Sequence, residues 1–100
     1  MTARTPLASL GTIGSVNAAI IAAAKAWAEQ GERDGIRVNT VLPGAVKTKR
    51  RENIITREAE LAGITLAEAE SRYVAAKRIP RFGLPSDIGK LISFLLSPAA

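Results

Sequence analysis

Gly35-Ile36-Arg37-Val38-Asn39-Thr40-Val41-Leu42-Pro43-Gly44-Ala45-Val46-Lys47-Thr48 is the stretch whose reading decides the fold. Asp34-Gly35 makes a turn ahead of it. From Ile36 to Leu42 the chain alternates, with Ile36, Val38 and Thr40 on one side and Arg37, Asn39 and Val41 on the other. That pattern predicts a strand over 36–42, and Pro43-Gly44 ends it sharply. A single strand leaves its own backbone donors and acceptors unmet. The segment therefore demands partner strands, and no second run of this kind stands in the chain.

Working outward, a helix is expected upstream from Ser15, a suitable N-cap, to Gln30, with Gly31 as its stop. Val16, Ile20, Ala23 and Trp27 share one face at helical spacing, and Ile21 with a ring of alanines covers much of the rest. Such a helix reads as a buried core helix, or as one wedged between a sheet and a partner subunit. Residues 1–14 are punctuated by Pro6, Gly11 and Gly14 and read as a loop, with the end of a strand at 7–10. Downstream, a charged helix is expected over Arg50–Leu61, carrying Ile54, Ile55 and Leu61, with Gly63 as its break. Thr65-Leu66-Ala67-Glu68 has the form of a capping box and opens a helix to about Lys77 with Leu66, Ala69 and Tyr73 inward. Residues 79–84 are loop. Pro85 suits a first helical turn, Ile88, Leu91, Ile92 and Leu95 line one face of the last helix, and Pro98 stops it. Helix, strand, loop and helices in this order form one slice of a βαβ arrangement.

Composition narrows the chemistry. With 100 residues, 47% of them apolar and only four aromatic, the chain reads as one modest α/β domain rather than a disordered segment. It has no cysteine and no histidine, which removes disulfides, thiolate nucleophiles, imidazole acid/base work and the common metal ligands; no metal site is expected. The net charge of +5 is mild, and much of it sits in Lys47-Thr48-Lys49-Arg50-Arg51. Lys49, Arg50 and Arg51 read as solvent-facing, with a phosphate or carboxylate role as the sharper alternative. No recognition motif accompanies the charge, so nucleic acid is not an expected partner. No apolar run approaches the ~20 residues that span a bilayer, and Met1-Thr2-Ala3-Arg4-Thr5-Pro6 is a poor signal peptide. A soluble, cytoplasmic protein is expected.

Ile36-Arg37-Val38-Asn39, the Pro43-Gly44 that follows and Thr48 four residues later resemble the short-chain dehydrogenase/reductase family. A second match lies in Arg81-Phe82-Gly83-Leu84-Pro85-Ser86-Asp87-Ile88 and Ile92-Ser93-Phe94-Leu95-Leu96-Ser97, which looks like the family's last helix and its approach. The resemblance covers roughly residues 14–100. It implies the C-terminal portion of a doubly wound Rossmann-type parallel sheet, mostly helical here with one clear strand at about 36–42, binding NAD or NADP. On this reading 1–100 is a single partial domain: loop and strand end over 1–14, helix, strand and cofactor loop over 15–48, a helical substrate-loop region over 49–79, and the last helix over 80–100.

The resemblance also implies roles. The backbone at Pro43 and Gly44 would pass close to the nicotinamide, where a glycine permits close approach, and Val46 and Thr48 would either meet its carboxamide or simply form the loop leading to the next helix. Asn39 would bridge loops. The family's Tyr-x-x-x-Lys pair, which exchanges a proton with the substrate oxygen and holds the ribose, aligns with Ile13 and Asn17. Ile13 can transfer no proton, whereas Asn17 can hydrogen-bond a ribose without carrying charge. The family's serine would fall at or before residue 1, Thr12 and Ser15 are nearby hydroxyls without a motif, and the only tyrosine, Tyr73, lies in the later helical region. No Gly-x-x-x-Gly-x-Gly phosphate loop occurs. No catalytic residue is therefore assigned. The cofactor-binding expectations are Asn17, Pro43, Gly44, Val46 and Thr48. The expected function is a segment of an oxidoreductase moving a hydride between NAD(P) and a carbonyl or alcohol in the complete fold, inactive as it stands and homo-oligomeric. The alternative is a non-catalytic dimerisation or interaction protein derived from that family.

Overall fold

The computed structural model describes residues 8–100, the Ser9 side chain excepted. The described chain separates between Pro43 and Gly44 into two compact units. The first holds a short 3₁₀ turn, Ala8–Leu10, and helix α1, Gly11–Asp34. The second holds α2 (Lys49–Ala62), α3 (Leu66–Lys77) and α4 (Pro85–Leu96).

The Rossmann-type sheet portion expected above is not seen. Among the described residues there is no strand, and 36–42 is irregular with no ladder partner; the one β-bridge joins Val46 to Gly83 in parallel. A strand is a property of two segments, because its hydrogen bonds are made to a neighbour. The alternation in 36–42 reports a half-buried surface rather than a neighbour. Its apolar ends lie open, Ile36 and Leu42 being 59% and 40% exposed, while Val38 and Val41 are half-buried. Of the strand end expected at 7–10, residue 7 lies outside the described residues and Ala8–Leu10 is a 3₁₀ turn.

Helix α1 begins four residues before Ser15. Its N-cap is Leu10, which offers no side-chain acceptor. Ser15 lies inside the helix, where its hydroxyl donates to the Gly11 carbonyl at 2.9 Å, the back-bonding open to a helical serine. The helix also runs through Gly31 and stops at Gly35, whose φ of 68° is left-handed. The carbonyl of Gly31 accepts from the N–H of Gly35 and from that of Ile36, the latter at 2.8 Å. Gly31 is buried because the chain doubles back over it: a Cβ there would stand 2.5 Å from the Ile36 carbonyl oxygen. Close approach, rather than helix termination, is what this glycine serves. The face expected to be buried is open, with Val16, Ile20 and Trp27 56%, 55% and 60% exposed.

The second unit follows its local signals. Thr48 caps α2, its Oγ1 accepting from the Arg51 N–H at 3.3 Å. Gly63 ends that helix with φ 65°, and Ile64 N–H donates to the Ala59 carbonyl at 3.1 Å, a Schellman closure. The Thr65–Glu68 capping box forms in both directions, at 2.8 and 3.2 Å. α2 and α3 pack as a helical hairpin. Ile55, Ala59, Ala69 and Phe82 form its buried core, with Ala45, Ile64, Tyr73 and Val74 packed around them. Leu66, expected inward, is exposed. Pro85 opens α4 as expected, while its face residues Leu91 and Ile92 lie 44% and 43% exposed.

Candidate functional site

In the first unit, Asn17 lies on α1 one turn after Ile13. Ile13 is exposed and Asn17 half-buried. Asn17 lines a hollow of about 150 Å³ together with Ile20, Ile21, Thr40, Leu42 and Pro43. The structure thus brings together two of the residues singled out from the sequence, Asn17 and Pro43, at one concave surface. Its wall is about as polar as it is apolar, with aliphatic side chains standing beside the Asn17 amide and Thr40. Such a surface suits a flat, uncharged ring or a sugar edge. A second, more open hollow on the same unit, about 460 Å³, is bordered by Lys25, Glu29, Glu32, Arg37 and Asn39.

Gly44, Val46 and Thr48 belong to the second unit. Val46 forms the parallel bridge: Gly83 N–H donates to the Ala45 carbonyl at 2.9 Å, and Lys47 N–H donates to the Gly83 carbonyl at 2.8 Å. This clasp ties the segment after Pro43-Gly44 to the approach of α4. Thr48 is the N-cap of α2, so its hydroxyl oxygen is already engaged by Arg51 N–H. Lys47 reaches Glu70 of α3 at 3.1 Å. At the far end of the clasp, Asp87 accepts from Leu84 N–H at 2.8 Å and from Arg81 at 3.3 Å. The Leu84 backbone hydrogen bond, and then the Arg81 guanidinium, hold the Asp87 carboxyl below the usual carboxylate range.

Sequence reasoning passed over one cluster. Tyr73 is half-buried and stacks on Phe82, ring centroids 5.2 Å apart and planes 13° from parallel. The Arg51 guanidinium lies 5.1 Å from the Tyr73 ring centroid and the Lys77 ammonium 5.8 Å. The signal was present: Tyr73-Val74-Ala75-Ala76-Lys77 repeats the Tyr-x-x-x-Lys spacing on α3, 60 positions beyond Ile13. Spacing four puts both groups on one helix face, and here the pair meets a third residue from α2. Among the described residues, no group of acidic, cysteine or histidine side chains is gathered for a metal ion.

The chain belongs to the short-chain dehydrogenase/reductase family, and over residues 1–100 it matches the family model described as enoyl-(acyl carrier protein) reductase. It is 36% identical over 98 residues to an acetoacetyl-CoA reductase of Synechocystis sp., covering 90% of this chain and 35% of that relative. To a 3-oxoacyl-[acyl-carrier-protein] reductase of Thermotoga maritima it is 33% identical over 82 residues, covering 80% and 28%. To a protein of Xanthobacter autotrophicus named inactive 2-(S)-hydroxypropyl-CoM dehydrogenase 2 it is 32% identical over 93 residues, covering 92% and 38%. The chain thus spans between 28% and 38% of the length of these relatives. No solved structure matches it. Among the described residues no helix is long and apolar enough to cross a membrane.

Proposed function

We propose that this chain is the part of an NAD(P)-linked oxidoreductase that receives the nicotinamide end of the cofactor, and that by itself it turns over no carbonyl or alcohol. The observation that carries this reading is the one-turn pair Ile13 and Asn17 on α1, of which Asn17 and not Ile13 can make a polar contact, beside the hollow shared with Pro43. When bound, the nicotinamide would give a hydride to a carbonyl in its reduced form or take one from an alcohol in its oxidised form. The residues present fit one end of that group only. About 150 Å³ is below the ~300 Å³ at which pockets for drug-sized ligands begin, and no glycine-rich loop offers backbone donors to phosphates. Asn17 would hold a ribose hydroxyl through its amide, and Ile20, Ile21 and Leu42 would offer the ring an apolar contact. Pro43, in the same hollow, would lie on the carboxamide side. Ile13, an alkyl group, moves no proton. The names of the relatives, reductases and dehydrogenases, support the substrate class of carbonyls and alcohols.

The test is a thermal melt of the purified chain with and without millimolar NADH or NADPH, paired with an assay for NADPH oxidation by acetoacetyl-CoA. A nucleotide-dependent rise in Tm that Asn17→Ala removes, with no oxidation, is expected. Steady NADPH oxidation would refute the inactivity, and melts blind to both nucleotides would refute the cofactor role.

One observation favours a second reading, an interaction protein derived from the family. Ile13, Val16, Ile20 and Trp27 of α1 are each more than half exposed, and a patch of that kind on a folded protein is usually covered by another surface. Sedimentation separates the readings: an oligomer insensitive to nucleotide favours the second, in which the homo-oligomer is the functional species.

A further inference from the structure

We propose that Arg51 and Lys77, gathered over the ring of Tyr73, form a binding site for a phosphate-class oxyanion. This site belongs to the second unit and is independent of the nicotinamide reading. The α2–α3 hairpin sets the N-terminal turn of α2 beside the C-terminal turn of α3, and each turn delivers one cation to the same phenol ring. Phe82 is stacked on that ring as well, so the phenol that gathers the two cations is itself held in place.

Their partners elsewhere make the arrangement pointed. Lys47 has Glu70 and Arg81 has Asp87 within ion-pair distance, but among the described residues neither Arg51 nor Lys77 has a carboxylate that close. A ring quadrupole attracts each cation by about 0.5–2 kcal/mol, yet it does nothing to relieve the repulsion between them, which falls only as the inverse of their separation. A further cost lies in the helix. Lys49, Arg50 and Arg51 occupy the first turn of α2 against a single carboxylate there, Glu52, at the end where the helix dipole disfavours cations. A phosphate-class anion placed between Arg51 and Lys77 offsets both terms. Its oxygens match the guanidinium fork, while the ammonium acts as a point charge. Arg51 is half-buried and Lys77 exposed, so one cation is held in place and the other is free to close on the ligand.

Tyr73 is the only tyrosine, so its ring resonances in a tyrosine-labelled sample of the full chain report on this site alone. Inorganic pyrophosphate is the probe, titrated at constant ionic strength against sodium chloride. Saturable shifts of the Tyr73 ring are expected with pyrophosphate and not with chloride. R51Q and K77Q should each weaken binding about tenfold, whereas R57Q, on the exposed part of α2, should leave it unchanged. Shifts that follow ionic strength alone, or binding that survives R51Q and K77Q together, would overturn the site. An oligothymidylate in place of pyrophosphate separates the sources of the phosphate. No gain in affinity points to a small phosphorylated molecule, and tighter binding that persists in the double variant overturns a localised site.

Discussion

The two units handle their apolar residues in opposite ways. In the second, Ile55, Ala59, Ala69 and Phe82 are buried against one another, and capping residues close the helices around them. In the first, the buried residues of α1 are two glycines, Gly14 and Gly31, while Ile13, Val16, Ile20 and Trp27 are exposed. Burial of apolar surface is the main favourable term in folding, so the second unit carries its own stabilisation and the first draws mostly on helix propensity and a well-made C-terminus. Alanine is the best helix former, and α1 is rich in it. An isolated helix of this kind is marginal in water even at good propensity.

The sharpest test of that contrast is Ile55→Ala. Ile55 is 2% exposed and central to the hairpin core. Truncation of a buried isoleucine typically destabilises by about 2–5 kcal/mol. Amide hydrogen exchange should show α2 and α3 losing protection while α1 keeps what it has. Equal loss in α1 would break the contrast, since the first unit would then depend on the same core.

Gly31→Ala probes the first unit in the same way. The added methyl meets the Ile36 carbonyl oxygen, a backbone atom with little freedom to yield. Overpacking costs about 1–3 kcal/mol, and the better helix propensity of alanine returns up to about 1 kcal/mol. A net loss of about 1–2 kcal/mol is expected, read as a lower helical signal and faster exchange at Gly35 and Ile36. A gain in helicity would mean that the doubling-back of the chain contributes nothing to α1.

How far the sequence could be read follows the same division. Thr65–Glu68, Gly63 and Pro85 act through atoms three to five residues away, and each stands where its local chemistry places it. The strand expected over 36–42 does not form, because alternation encodes a surface and leaves the neighbour unspecified. Gly31 was read as a stop because glycine permits both termination and close approach, and only the path of Ile36 decides between them. At the candidate site, Asn17 and Pro43 line one hollow, a juxtaposition that depends on how the chain returns past α1 and that no local pattern encodes. The Arg51–Tyr73–Lys77 cluster was half legible: the Tyr–Lys spacing is in the sequence, but Arg51 joins it only through hairpin packing.

A smaller effect is expected where the second unit departs from the usual chemistry. The C-cap of α3 is Arg78, left-handed at φ 51°. Its N–H donates to the Ala75 carbonyl and that of Ile79 to the Val74 carbonyl, a closure that glycine makes without strain. A left-handed residue with a Cβ carries roughly 1–2 kcal/mol, partly offset in a glycine variant by a more flexible unfolded chain. Arg78→Gly should therefore stabilise the unit by about 0.5–1 kcal/mol in urea titration. Destabilisation would show that the Arg78 side chain contributes more than its backbone strain takes away.

The mildest perturbation concerns Asp87, the anchor of α4. Its carboxyl is held below the ordinary range by the Leu84 N–H and then by Arg81. The contribution to stability is therefore complete above the unfolded value, near pH 3.9. It is lost as the pH falls from there through the lowered folded value. Asp87 is accessible and its ion pair with Arg81 is exposed, so solvent screening keeps the effect small. Urea midpoints measured from pH 6 down to pH 2 should fall in that acid window. Asp87→Asn keeps an oxygen for the Leu84 N–H but carries no charge, so it should flatten this part of the profile and leave the rest. An unchanged acid slope in the variant would place the acid sensitivity in other carboxylates. It would also leave the start of α4 held by Pro85 and the Val46–Gly83 clasp rather than by the Asp87 charge.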